Sequence, residues 1–151
     1  MTYTFSRIED VLAAEGSMLQ KTVGVSMLPM LKSGRDQVVL SVPQQPLKVD
    51  DVVLYRRGES YVLHRIIAID GDNLIIRGDN CIEKELGYVK DDIIAILSGF
   101  YKGNRYIDCE TSKGYKLYIK AWKVISPLWR MILQCKFALI NIINKIRKRQ
   151  K

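Results

Sequence analysis

Between Gln37 and Cys109 the chain runs as short, apolar, β-branched segments separated by turn residues, and that rhythm points to a β-rich domain. "QVVLSV" at 37–42 is the first such segment, and "PQQPL" at 43–47 stops it, because proline cannot continue a ladder. "DVVLYRR" at 51–57 and "SYVLHRIIAI" at 60–69 flank the turn residues Gly58 and Glu59. "DGDN" at 70–73 is a hairpin signal from which "NLIIRG" returns. Residues 80–90 read as a loop, and "DIIAILSGFY" and "NRYIDC" form a hairpin around Lys102 and Gly103.

Both ends read as helical. Residues 5–20 have Ile8, Val11, Leu12 and Leu19 at helical spacing, with Ser6 as cap and Glu9 at the capping-box position. After about Thr111 the period is helical again, and Pro127 suits the first turn of a new helix capped by Ser126. The expected fold is mainly β: an N-terminal helix in 1–20, a β domain in 21–110 and a basic amphipathic helical extension in 111–151.

Charge divides the chain in the same place. The net charge is +8, but no Asp or Glu follows Glu110, and the residues from Lys113 onward carry +11. The first 112 residues therefore carry −3. A basic extension on a mildly acidic domain implies a polyanionic partner, either a membrane surface or nucleic acid. On a helix, Leu128, Met131, Ile132, Cys135, Leu139, Ile142, Ile143 and Ile146 share a broad face opposite Arg130, Gln134, Asn141 and Lys145. Arg130, Gln134 and Lys136 interrupt the run of about 20 apolar residues that a membrane span needs. Residues 126–151 are thus expected at a membrane surface, or packed on their own domain; their isoleucine density argues against nucleic acid.

Cys81, Cys109 and Cys135 are odd in number and scattered, which suits a reducing compartment and suggests no metal site. "MTYTFSRIEDVLAAEGS" has no basic-then-apolar leader profile. The expected location is cytoplasmic, peripheral at the inner face of the membrane.

"TVGVSMLPMLKSGRDQVVL" at 22–40 is built to present one hydroxyl, that of Ser26. A serine is a poor nucleophile unless a neighbour takes its proton. The chain has a single histidine, His64, on the strand "SYVLHRIIAI". Arg65 cannot act as a base, and the stretch from Asp50 to Asp79 contains no lysine. Each feature has an ordinary reading, since a serine near proline is commonly a turn residue and a histidine in an apolar strand is commonly structural. Met27 suits an apolar gap or a substrate pocket, and Pro29 stiffens the turn.

"GVSMLPML", "GRDQVVL", "DDVVLYRR" and "VLHRIIAIDGDNLIIRGDN", in that order, resemble the superfamily that joins signal peptidase I to the self-cleaving SOS repressors. The resemblance spans roughly residues 20–100, and "HRII" at 64–67 resembles the Ser–His signal peptidases of the endoplasmic-reticulum and archaeal type. It implies Ser26 as nucleophile, His64 as base and Asp79 of "RGDN" as the carboxylate that supports His64. The family's further acidic position, a few residues past Gly-Asp-Asn, has no matching Asp here; Glu83 and Glu85 stand nearest. Family members commonly have Ser two residues before the nucleophile, where this chain has Gly24, which leaves the oxyanion to backbone N–H groups around Val25 and Ser26. The expected activity is a serine endopeptidase acting on an extended peptide or protein substrate without metal or cofactor. A self-cleaving regulatory domain and a non-enzymatic membrane- or nucleic-acid-binding module are the alternatives.

Overall fold

The structure, a computed structural model, describes residues 7–149, with side chains through Ile146. The apolar runs form strands β1 (Ser17–Lys21), β2 (Gln37–Ser41), β3 (Val52–Arg57), β4 (Ser60–Asp70), β5 (Asn73–Arg77), β6 (Glu85–Val89), β7 (Ile93–Lys102) and β8 (Arg105–Asp108). Helix α1 (Ile8–Glu15) precedes them and the long helix α2 (Lys113–Arg149) follows. All the pairings are antiparallel. The sheet order is β1-β2-β7-β3-β4-β5-β6, with β8 on β7. The mainly β architecture between two terminal helices is therefore the one that the pattern implies.

Strand β3 explains how one sheet supports two cores. Val52, Val53, Leu54 and Tyr55 are all buried, and successive strand residues point to opposite faces. Val52 and Leu54 pack with Leu40, Phe100, Met30 and Tyr115. Val53 and Tyr55 pack with Ile66, Leu74 and Ile76 on the other side. Register shifts at Val39/Leu40, Leu54/Tyr55 and Ile66/Ala68 bend the sheet between these cores.

Four local expectations are corrected. The N-terminal helix ends at Glu15, because Gly16 takes a left-handed conformation (φ 71°) and caps it, so Leu19 lies in β1. Ser6 lies outside the described residues, and Arg7 occupies the N-cap without a side-chain bond. Glu9 forms no capping box; it accepts from Arg56 Nε at 2.7 Å and from the Tyr61 hydroxyl, tying α1 to β3 and β4. The stretch 80–90 is no loop throughout, since β6 pairs with β5. Pro127 starts no new helix but lies inside α2. The turns beyond it are docked by Trp129, bonded to Asn80, and by buried Leu133, which offsets the hydrogen bond that proline forfeits.

Candidate active site

The loop from Thr22 to Asp36 is pinned at its neck and seated by its apolar residues. The Thr22 hydroxyl donates to the carbonyls of Lys32 (3.0 Å) and Asp36 (2.9 Å). Buried Asp36 accepts from the Lys32 N–H at 2.8 Å and from Arg35 Nε at 2.6 Å. The Gly-Arg-Asp segment is thus a loop lock. Met27, Met30 and Leu31 sink into the first core, and the Leu31 N–H donates to Met27 O at 2.9 Å. Met27 is therefore an anchor of the turn. Pro29 stays exposed after a cis peptide bond. Gly24 sits at φ 90°, a conformation that disfavours any side chain, so a Ser there would be strained. Val25 is exposed and Ser26 half-buried.

His64 arrives on β4, opposite Val53 of β3, and is 3% exposed. Its Nδ1 lies 2.8 Å from Glu85 Oε1 and 3.1 Å from the Tyr55 hydroxyl. A carboxylate only accepts, so Glu85 assigns the proton to Nδ1 and leaves the lone pair on Nε2. Burial pulls the imidazole pKa below 6.5, and the nearby Arg57 charge acts the same way, while Glu85 opposes both. Burial and the Glu85 charge push the Tyr55 hydroxyl well above its usual range, so it remains a donor.

Gly78 is where the serine loop and the histidine meet. A Cβ there would stand 2.7 Å from Ser26 O, 2.9 Å from His64 Nε2 and 2.7 Å from Cys81 Sγ. Only a residue without a side chain allows this approach. Next to it, the Asn80 N–H donates to Ser26 O at 2.7 Å, and Asn80 Nδ2 donates to Val25 O at 3.1 Å. Trp129 Nε1 donates to Asn80 Oδ1 at 2.9 Å, so α2 braces the clamp. Among the described residues no hydrogen bond joins the Ser26 hydroxyl to His64.

Asp79 does not face the imidazole. Its carboxylate accepts from Arg65 Nε and NH2, both at 2.8 Å, and from the Tyr118 hydroxyl at 3.3 Å. Arg65 also donates to Asp50 O (2.9 Å) and the Tyr115 hydroxyl (3.4 Å). The carboxylate on His64 is Glu85, one of the two glutamates nearest the vacant acidic position. The structure therefore brings the Ser26 segment and His64 together at Gly78, ties Val25 to Asn80, leaves Gly24 exposed and pairs Asp79 with Arg65. Tyr55, Gly78 and Asn80 complete the site. Asn80 and Gly78 are visible in "RGDN" as turn residues, whereas no sequence signal points to Tyr55 or Trp129.

A cleft of about 280 Å³ between β5 and α2 reaches the same Gly78 and is lined by Arg77, Arg130, Trp122 and Ser126. Asp79 and Asp50 line it too, paired with Arg65 and Lys123, and burial, with the neighbouring Arg130 charge, lowers the Arg77 pKa. The described residues contain no group of three or more His, Cys, Asp or Glu placed to hold a metal ion. Comparison with protein-family models, curated proteins and solved structures gives no match, so the chemistry of the site is read from its own geometry.

Proposed function

We propose that the protein is a serine endopeptidase in which Ser26 is the nucleophile, His64 the general base and Glu85, with Tyr55, the pair that orients the base. The observation that carries this reading is the arrangement of the only histidine: a carboxylate on Nδ1, and Nε2 turned to the Gly78 backbone against which Ser26 packs. Such a ring, held neutral by burial, accepts a proton at neutral pH. Catalytic hydrogen bonds are commonly open without substrate, and the chemistry needs the Ser26 hydroxyl within hydrogen-bond reach of His64 Nε2.

In the reaction the Ser26 oxygen attacks the scissile carbonyl carbon as its proton passes to His64 Nε2. The carbonyl oxygen becomes an oxyanion. Among the described residues the N–H groups of Val25 and Ser26 donate to no backbone carbonyl, which leaves them for that charge. The C–N bond then breaks and His64 returns its proton to the leaving amine. Water, deprotonated by His64, releases the acyl group and restores the Ser26 hydroxyl. Strand β1 runs into this loop and, among the described residues, pairs with β2 on one side only, so its other edge suits an extended peptide.

A fluorophosphonate reagent, which esterifies activated serines, tests the reading. The wild-type chain should be labelled at Ser26, and Ser26→Ala and His64→Ala should each lose at least about 10³-fold in rate. Because the two act as one unit, the double variant should be no worse than either single one. Undiminished labelling in a folded His64→Ala chain would overturn the assignment.

A further inference from the structure

Helix α2 has two unlike faces. At the helical repeat of 100° per residue, Tyr115, Trp122, Ser126 and Leu133 fall on the side that meets the domain, where Tyr115, Ser126 and Leu133 are buried. Leu117, Val124, Leu128, Ile132, Leu139 and Ile142 fall on the opposite side, and each is more than half exposed. From Gln134 to Ile146 every residue is exposed, so the helix runs past the domain that holds its first half. Among the described residues nothing covers this stripe. Lys116, Lys120 and Lys145 border it on one flank and Lys136 on the other, and no acidic residue follows Glu110.

We infer that α2 lies in the plane of an anionic membrane surface, with this stripe in the acyl boundary and the flanking lysines at the lipid phosphates. The inference goes beyond the peptidase reading and does not rest on it. No described helix is long and apolar enough to cross a membrane, and an amphipathic helix with cationic flanks binds in the interface instead. Charge selects this occupant over a second copy of the chain. Two stripes packed together would align lysine rows with no acidic row between them, whereas anionic lipid turns the same rows into attraction. A nucleic acid would satisfy the charges and leave the apolar stripe in water.

The test is sedimentation of the full chain with phosphatidylcholine vesicles, with or without phosphatidylglycerol. The chain should bind the anionic vesicles at least about tenfold more tightly, with the advantage shrinking as salt rises. Ile132→Asp/Leu139→Asp, at exposed positions, should lose at least about tenfold in vesicle affinity, with circular dichroism unchanged. Lys116→Gln/Lys120→Gln should lose roughly tenfold and keeps the test decisive if the first variant misfolds. Failure to bind anionic vesicles at low salt would overturn the inference. So would binding untouched by the stripe variant, or a wild-type dimer in solution that the stripe variant makes monomeric.

Discussion

Two consecutive residues of β4 each hold a carboxylate, and they hold it for different ends. His64 faces the second core with Glu85 on Nδ1. Arg65 faces the first core with both Asp79 oxygens on its guanidinium. The strand's alternation puts the two pairs back to back across one sheet. Arg65 never gives up its proton, so its pair is a fixed charge couple, and its further bonds to Asp50 O and Tyr115 fasten β4 to the turn before β3 and to α2. His64 has one polar nitrogen committed and one turned to the serine loop. One pair is spent on structure, and the other leaves a lone pair available for chemistry.

If that division is right, the two carboxylates separate in mutation. Glu85→Gln should keep the fold but cost up to about 10⁴ in the labelling rate at Ser26, because an amide offers an N–H as readily as an oxygen and no longer dictates the tautomer. The rate of fluorophosphonate labelling, measured on chain shown by circular dichroism to be folded, reads this directly. Loss of less than about tenfold would mean that Tyr55 alone orients the ring.

Asp79→Asn should do the reverse. It leaves the Arg65 charge buried with half its partner, and breaking such a pair costs about 3–5 kcal/mol of stability. Urea unfolding should show a lower midpoint, while the folded fraction labels at close to the wild-type rate. A folded Asp79→Asn chain that labels about 10³-fold slower would return the orienting role to Asp79 and erase the contrast.

What was legible in the sequence follows the range of the interactions. Strands β2 to β5, β7 and β8 read cleanly because their periodicity is local. Strand β6 did not, since "ELGYV" contains Gly87 at φ 85° and earns its place only by pairing with β5. The continuity of α2 through Pro127 depends on Trp129 reaching Asn80, a contact 49 residues apart. Ser26 and His64 stood out because a hydroxyl needs a base and the chain holds one histidine. Glu85 and Asp79 are both acids downstream of that histidine, and spacing cannot tell them apart. Their roles are set by which face of the sheet each approaches, and Arg65, next to His64, captures the nearer acid in sequence. Spacing leaves Met27 open between pocket and core in the same way, and the loop seats it in the first core.

The smallest expected effect sharpens the comparison most, because it acts on the His64 pair alone. Burial holds the imidazole pKa below 6.5 against the pull of Glu85. Labelling at Ser26 should therefore fall on the acid side, as imidazolium forms and the base is lost, with a midpoint below the 6.5 of a free imidazole. The same shift has a stability counterpart. A group whose folded pKa lies below its unfolded value contributes stability that is present above the unfolded value and is lost as pH falls through the folded one. His64 should thus make the chain easier to unfold by urea below pH 6.5, and His64→Gln should flatten that dependence. Glu85 favours the charged ring, so Glu85→Gln should move the acid limb of the labelling profile to still lower pH while reducing its height. Arg65 cannot titrate in this range, and the Asp79 charge favours imidazolium less than Glu85 does, so Asp79→Asn should move the limb to lower pH by less than Glu85→Gln. A limb that moves further with Asp79→Asn than with Glu85→Gln would exchange the two carboxylates.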